Sequence, residues 1–184
     1  MLYEGGVRVP YIFRWPGHIP AGATCATPIN SVDLYPTVLE MAGAPRPANY
    51  PLDGTSYLKL LTSGGKAVLE RDAIYWHFPG YLGAGVGSWR TTPAGAVRAG
   101  DWKLIEFFEE NRLELYNLRD DLSETNNLAA KQPEKAKELH AKLIAWREEV
   151  GAPMPTKNPD VQPAGQKTKG GKKGKRAKQA TADE

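Results

Sequence analysis

The residues best suited to chemistry lie in one segment, HFPGYLGAGVGSWRTTP, residues 77–93. His77 has an imidazole that can donate a proton or a hydrogen bond, Arg90 is a permanent cation suited to an anionic group, and Tyr81 and Trp89 offer faces on which a sugar or aryl ring can stack. The segment is glycine-rich and longer than a simple connection requires, and long loops of this kind often carry function. The alternative is an ordinary surface loop, and composition alone leaves both open. Other candidates are weaker. Cys25 sits in ATCATP with no histidine nearby, as an incidental small residue would. His18 lies between Pro16-Gly17 and Pro20 in a turn, and His140 borders the apolar stripe of a helix. Asp120 and Asp121 have no third hard ligand at a fixed offset, so RDDLSETNNL reads as turn formers and helix caps, and no metal site is expected.

These residues need elements to position them. VRVPYIFRWPG reads as a strand stopped by Pro16-Gly17, apolar without clean alternation, as in a strand buried on both faces. With the next clear strand some sixty residues on, it looks orphaned, and residues 1–45 are expected to be loosely held. SVDLYPTVLEMAGAP is a helix capped by Ser31 or Asp33, with Pro36 near its first turn, Gly43 past its end and Leu34, Val38, Met41 and Ala42 as its apolar stripe. A helical turn around TSYLKLL and a strand at residues 73–78 follow. AVRAG, WKLIEFF and RLELYNL, joined at Gly100-Asp101 and Glu110-Asn111, predict an antiparallel meander. A helix over residues 133–150 packs on it through Ala136, Leu139, Leu143, Trp146 and Val150, with Gly151 after its end. The fold class expected for residues 70–151 is α+β.

Composition excludes several classes. The 184 residues suit one domain of ordinary size, no run of about 18 apolar residues can span a bilayer, and one cysteine precludes an internal disulfide. No basic n-region and apolar h-region follow Met1. The net charge of +3 is unevenly spread: residues 157–184 hold eight Lys and Arg against three Asp and Glu, leaving −2 for residues 1–156. The tail has too little apolar surface to offset its ordering entropy, so residues 155–184 are expected to be disordered. Its Lys172, Lys173, Lys175, Arg176 and Lys178 have no interleaved aromatics for base stacking, so nucleic acid is not the expected partner.

Taken together and in order, YEGGVRVPYIFRWPG (3–17), SVDLYPTVLEMAGAP (31–45), LDGTSYLKLL (52–61), AIYWHFP (73–79), AVRAGDWKLIEF (96–107), LELYNLRDDLSETNNLA (113–129) and the final amphipathic helix resemble the C-terminal third of arylsulfatase-type sulfatases. The resemblance implies an alkaline phosphatase-like superfamily member. Residues 1–69 would be the C-terminal remnant of its α/β domain, with that domain's last strand and helix. Residues 70–154 would be a subdomain of an antiparallel sheet with a packed helix, and 155–184 a basic tail outside the resemblance.

The family hydrolyses sulfate esters with a formylglycine made from Cys or Ser in C/S-x-P-x-R and with a calcium ion held by Asp and Asn. Neither motif is in this sequence: Cys25 is followed by Ala26, Thr27 and Pro28. No cofactor is therefore expected on this chain, and calcium and formylglycine are implied only for the intact enzyme. The resemblance leaves Glu4, Gly5 and Gly6 from the active-site neighbourhood, shaping backbone beside a sulfate-contacting Lys that lies a few residues upstream in the family. Arg8, four residues on, is placed to pair with Glu4. The HFP string at His77 often continues in the family with a second His two residues later, where this chain has Gly80 and then Tyr81. His77, Tyr81, Trp89 and Arg90 remain the substrate-binding candidates. The expected partner is the N-terminal catalytic portion, with a sulfate-ester substrate in the intact enzyme, whether aryl sulfate or sulfated glycan, and an exported or periplasmic location. The alternative is a stand-alone non-catalytic module that binds an anionic partner through the 77–93 loop and the basic tail.

Overall fold

The computed structural model describes residues 1–83, 89–157 and 159. Its centre is a four-stranded antiparallel sheet of β1 (Ile74–Phe78), β4 (Ala94–Ala99), β5 (Trp102–Phe107) and β6 (Arg112–Asn117), in the order β1-β4-β5-β6. The meander closes where expected. Gly100 takes φ 58° between β4 and β5, and Asn111 takes φ 48° between β5 and β6. Both are left-handed residues of the kind that tight hairpin turns demand. Between β1 and β4 the chain makes a two-stranded ribbon, β2 (Leu82–Gly83) against β3 (Trp89–Thr91), where the sequence suggested only a loop.

Side chains alternate across the sheet, and each face has its own core. On one face Val97, Leu104 and Leu115 pack against Ala136, Leu139 and Leu143 of α4 (Pro133–Glu149). Trp146 of α4 stacks on Tyr75 with ring centroids 4.8 Å apart. The stripe ends one turn earlier than its sequence pattern suggested: α4 stops at Glu149, Val150 is exposed, and Gly151 turns the chain at φ 61°. On the other face Ala94, Ala96, Ile105, Tyr116 and Leu118 form a second core, covered by Leu2 and Tyr3 from the chain's beginning. The start of the chain is thus docked on the sheet.

The segment 7–15 departs from expectation. Glu4–Val7 forms a single helical turn, α1, and residues 8–15 have no regular secondary structure. A strand exists by pairing, and no strand among the described residues lies beside this segment. Val9, Tyr11 and Ile12 are outward, Ile12 being 91% exposed, while Phe13 is half-buried against Tyr57 with ring centroids 5.4 Å apart.

The next helix, α2 (Leu34–Met41), is preceded by a 3-10 turn, Ser31–Asp33, and capped differently from expectation. Asn30 is the capping residue: its Oδ1 accepts from the Ser31 N–H at 2.7 Å, and Asp33 Oδ2 accepts from the Asn30 N–H at 2.6 Å. The two side chains thus cap reciprocally. The buried face of α2 is also not the apolar stripe. Pro36 and Thr37 are inward, while Leu34 and Val38 are exposed, because Thr37 Oγ1 bonds the Asp33 carbonyl at 2.6 Å and accepts from the Tyr57 N–H at 3.1 Å. Tyr57 leads into α3 (Leu58–Thr62). No helix among the described residues is long and apolar enough to cross a membrane. The disordered and basic tail expected beyond residue 155 lies outside the described residues, apart from 155–157 and 159.

Candidate functional site

The Glu4–Gly6 turn is tied to the sheet and to the loop after β6. Its glycines differ in kind. A Cβ on Gly6 would lie 2.3 Å from the Met1 carbonyl oxygen, whereas Gly5 faces open space. Only glycine lets the chain fold back at Gly6. Glu4 is buried against charges of the opposite sign. Lys103 Nζ stands 2.9 Å from Glu4 Oε1 and 2.9 Å from Glu124 Oε1, Arg98 Nη1 lies 3.6 Å from Glu4 Oε2, and Arg8 Nη1 lies 3.4 Å from the same oxygen. The Arg8 pairing forms across a helical turn rather than along a strand. Burial by itself pushes the Glu4 carboxyl up, but the hydrogen bond and charge of Lys103, with Arg98 and Arg8, outweigh it and hold the group below the usual carboxylate range. Tyr3 adds a further tie, its hydroxyl donating to Glu114 Oε2 at 2.7 Å.

The loop candidates lie elsewhere. His77 shares a sheet face with Tyr75 and so faces α4. Its Nε2–H donates to the Pro153 carbonyl at 2.7 Å. A carbonyl can only accept, which places the proton on Nε2. Nδ1 is buried without a hydrogen-bond partner among the described residues. Phe108 leans on the ring at 5.5 Å. Tyr81 donates its hydroxyl to Glu109 Oε1, and Arg90 is exposed on β3. The side chain of Trp89 and residues 84–88 lie outside the described residues. The structure therefore places His77 on the α4 face and Glu4 on the opposite one: the two groups of sequence-predicted site residues are not brought together.

Beside α1 a cleft of about 800 Å³ opens between residues 7–13, the 23–31 loop and α3, lined among others by Tyr11, Phe13, Tyr57, Trp76, Arg8 and Arg98. The buried Tyr57 hydroxyl has no hydrogen-bond partner among the described residues.

Two charged sites escape a reading of the sequence. Asp33 is fully buried and bonded to Arg71, with Arg71 Nη1 at 2.8 Å from Oδ2 and Nη2 on Oδ1, while the Thr55 N–H donates to Oδ1 at 2.9 Å. Lys103 is also fully buried. A signal for it exists, since Lys103 occupies an inward register position with Ile105 in WKLIEF, and a lysine in such a place needs a carboxylate partner. The partners themselves are not legible, because Glu4 is 99 residues away.

The residues present do not fit a calcium or formylglycine site. Among the described residues no group of three or more His, Cys, Asp or Glu side chains is arranged to hold a metal ion. The Asp121 carboxylate is taken up by the N–H groups of Thr125 and Asn126, and Asp120 Oδ2 accepts from Asn117 Nδ2 at 2.7 Å. Cys25 is exposed, 3.9 Å from the Gly65 carbonyl oxygen.

Comparison with known proteins agrees with the fold. A sulfatase of Formosa agariphila is 37% identical over 164 residues, covering 82% of this chain and 29% of the relative. An N-acetylglucosamine-6-O-sulfatase of Bacteroides thetaiotaomicron is 32% identical over 142 residues, covering 75% of this chain and 24% of the relative. The solved structure of BT4656 in complex with its substrate D-glucosamine-2-N,6-O-disulfate superposes with a TM-score of 0.62 at 28% identity, over 77% of this chain and 28% of that one. A phosphonate monoester hydrolase from Silicibacter pomeroyi shares the fold at 20% identity, with a TM-score of 0.55 over 74% of this chain and 28% of that one. The chain spans less than a third of the length of each of these proteins. Residues 1–149 match the family described as N-sulphoglucosamine sulphohydrolase, C-terminal. With residues 1–149 matched to that C-terminal family and an antiparallel sheet with a packed helix, the chain belongs to the sulfatases and corresponds to their C-terminal part.

Proposed function

We propose that this chain is the C-terminal portion of a sulfatase that, intact, hydrolyses sulfate esters, and that its role there is to close and brace the catalytic domain rather than to supply the nucleophile or the metal ligands. The observation that carries this reading is the Glu4–Gly6 turn, which β5 and the loop after β6 grip through Lys103 and Glu124. On this reading residues 1–69 complete the α/β domain, residues 70–154 are the C-terminal subdomain and residues 155–184 are an appended tail. The formylglycine and calcium belong to the N-terminal portion and would supply the nucleophile and neutralise the sulfate oxygens there. Sulfated sugars are the favoured substrates, since two of the relatives above act on or bind sulfated glucosamines. His77, Tyr81, Trp89 and Arg90 are then rim residues for sugar contacts.

The test is to read the coding sequence directly upstream of Met1 and to express the joined frame. A C/S-x-P-x-R motif with an Asp-rich metal motif upstream, and release of sulfate from a glucosamine 6-sulfate or an aryl sulfate by the joined protein, are expected. Residues 1–184 alone should give no turnover above a no-enzyme control, even with calcium. Absence of both upstream motifs, or turnover by 1–184 alone, would overturn the reading.

A further inference from the structure

The loop 119–127 has the composition of a string of turn formers, yet one of its side chains reaches the beginning of the molecule. Glu124 holds a left-handed backbone, φ 55°. A non-glycine residue adopts that conformation only under constraint. The constraint is visible. Asp121 Oδ2 accepts from the Thr125 N–H at 3.0 Å and from the Asn126 N–H at 2.8 Å, and Asn127 Oδ1 accepts from the Leu115 N–H of β6 at 3.0 Å and from the Ala129 N–H at 2.9 Å. Fixed to β6 in this way, the loop aims the Glu124 carboxylate at two targets, Lys103 Nζ at 2.9 Å and the backbone N–H of Glu4 at 2.5 Å. Lys103 in turn reaches the Glu4 side chain at 2.9 Å, so backbone and side chain of one residue are held by a single buried ion cluster.

Such a cluster is a poor source of stability, because desolvating three charges offsets most of their attraction and an apolar core would serve as well. What an apolar core does not supply is a defined position for one peptide unit. We infer that Glu124 is a positioning residue: through Lys103 and the Glu4 N–H it sets where the Glu4–Gly6 turn stands on the sheet, and so where the active-site end of that segment is presented in the intact sulfatase. The second half of this statement rests on the function proposed above; the first does not.

Glu124→Gly separates carboxylate from backbone, since glycine adopts the left-handed conformation freely and leaves the loop intact. In residues 1–184, amide hydrogen exchange followed by NMR should show the Glu4 N–H and those of Gly6 to Arg8 exchanging at least about 10-fold faster in Glu124→Gly, with β5 and α4 unchanged. Glu124→Gln keeps an oxygen acceptor and should restore a large part of the protection. Unchanged exchange at Glu4, or an equal acceleration across β5 and α4, would overturn the anchor whatever the protein's activity. In the joined full-length protein Glu124→Gly should lower kcat at least about 10-fold while KM stays within about 2-fold. An unaltered kcat would overturn the positioning role. If the unsubstituted full-length protein releases no sulfate, the proposed function fails together with the catalytic half of the inference, and the exchange result still decides the anchor.

Discussion

Asp33→Asn is the substitution that tests most sharply how residues 1–69 are held together. Asp33 is fully buried, and its carboxylate accepts from the N–H groups of Asn30 and Thr55 as well as from both terminal nitrogens of Arg71. The asparagine is nearly isosteric but uncharged, and where the carboxylate offered two accepting oxygens it presents one oxygen and one donating NH₂. It therefore turns one pair of bonds into a donor–donor clash and leaves the largely buried Arg71 cation uncompensated. Breaking a buried pair by removing one partner costs about 3–5 kcal/mol, and the lower half of that range applies because one oxygen remains. With a urea m-value of about 2 kcal/mol/M, a loss of about 3 kcal/mol moves the unfolding midpoint down by roughly 1.5 M at pH 7. Tryptophan fluorescence and far-UV circular dichroism would follow the transition.

The pH dependence supplies a second reading of the same pair. Burial pushes the Asp33 carboxyl up, but its bonds to Arg71, Asn30 and Thr55 outweigh this and set its folded pKa below the ordinary value of 3.8. The stabilisation is therefore fully present above that ordinary value and is lost as pH falls through the folded one. The difference between wild type and Asp33→Asn should hold steady from pH 7 to about 5 and shrink on further acidification. A midpoint shift below about 0.3 M at pH 7, or a difference that persists undiminished at about pH 2, would refute the assignment of this energy to the Asp33 charge.

Further outcomes follow from packing and titration. Leu143→Ala empties a fully buried position of α4 in the core that also contains Val97, Leu104 and Leu115. It should cost about 3–4 kcal/mol in urea unfolding, and a loss under about 1 kcal/mol would show that α4 is not seated as described. Gly54→Ala would place a Cβ 2.0 Å from the Val32 carbonyl oxygen and 2.8 Å from the Asp33 Cα. Backbone must then move, so the melting temperature should drop by several degrees, and an unchanged value would contradict the close approach. The Tyr116 hydroxyl, raised by burial and by its neighbours Tyr3 and Glu124 to about 12, should stay protonated in a spectrophotometric titration well after exposed tyrosines have ionised. Its contribution to stability is full below about pH 10 and disappears as pH rises through about 12. Ionisation of every tyrosine near pH 10 in the folded protein would refute its burial.

Most of residues 70–151 is legible residue by residue. β1, the meander β4-β5-β6 and α4 are local: each is marked by its own periodicity, and Gly100, Asn111 and Gly151 punctuate them at left-handed positions. The first third is less legible. Residues 8–15 have a strand's composition, but composition cannot provide the neighbour that makes a strand, and the α2 stripe of Leu34 and Val38 points outward because the helix is held instead by Thr37 and Asp33. The ribbon of β2 and β3 leaves no trace in the pattern because strands of two and three residues have no detectable period.

The sites divide along the same line. The order of the motifs from YEGG to LYNL is enough to place the chain among the sulfatases, since each string is short-range information and survives without a fold. Which charges meet is decided only in three dimensions. Lys103, Glu4 and Glu124 come from positions up to 120 residues apart, and Asp33 meets Arg71 across 38. His77 and Glu4, both offered by the sequence as site residues, are set on opposite faces of the sheet by the two-residue alternation of β1 and by the docking of α1 on the face away from α4. Long-range ion pairing depends on how far loops let side chains approach once the sheet has formed, and no periodicity in the chain encodes that distance.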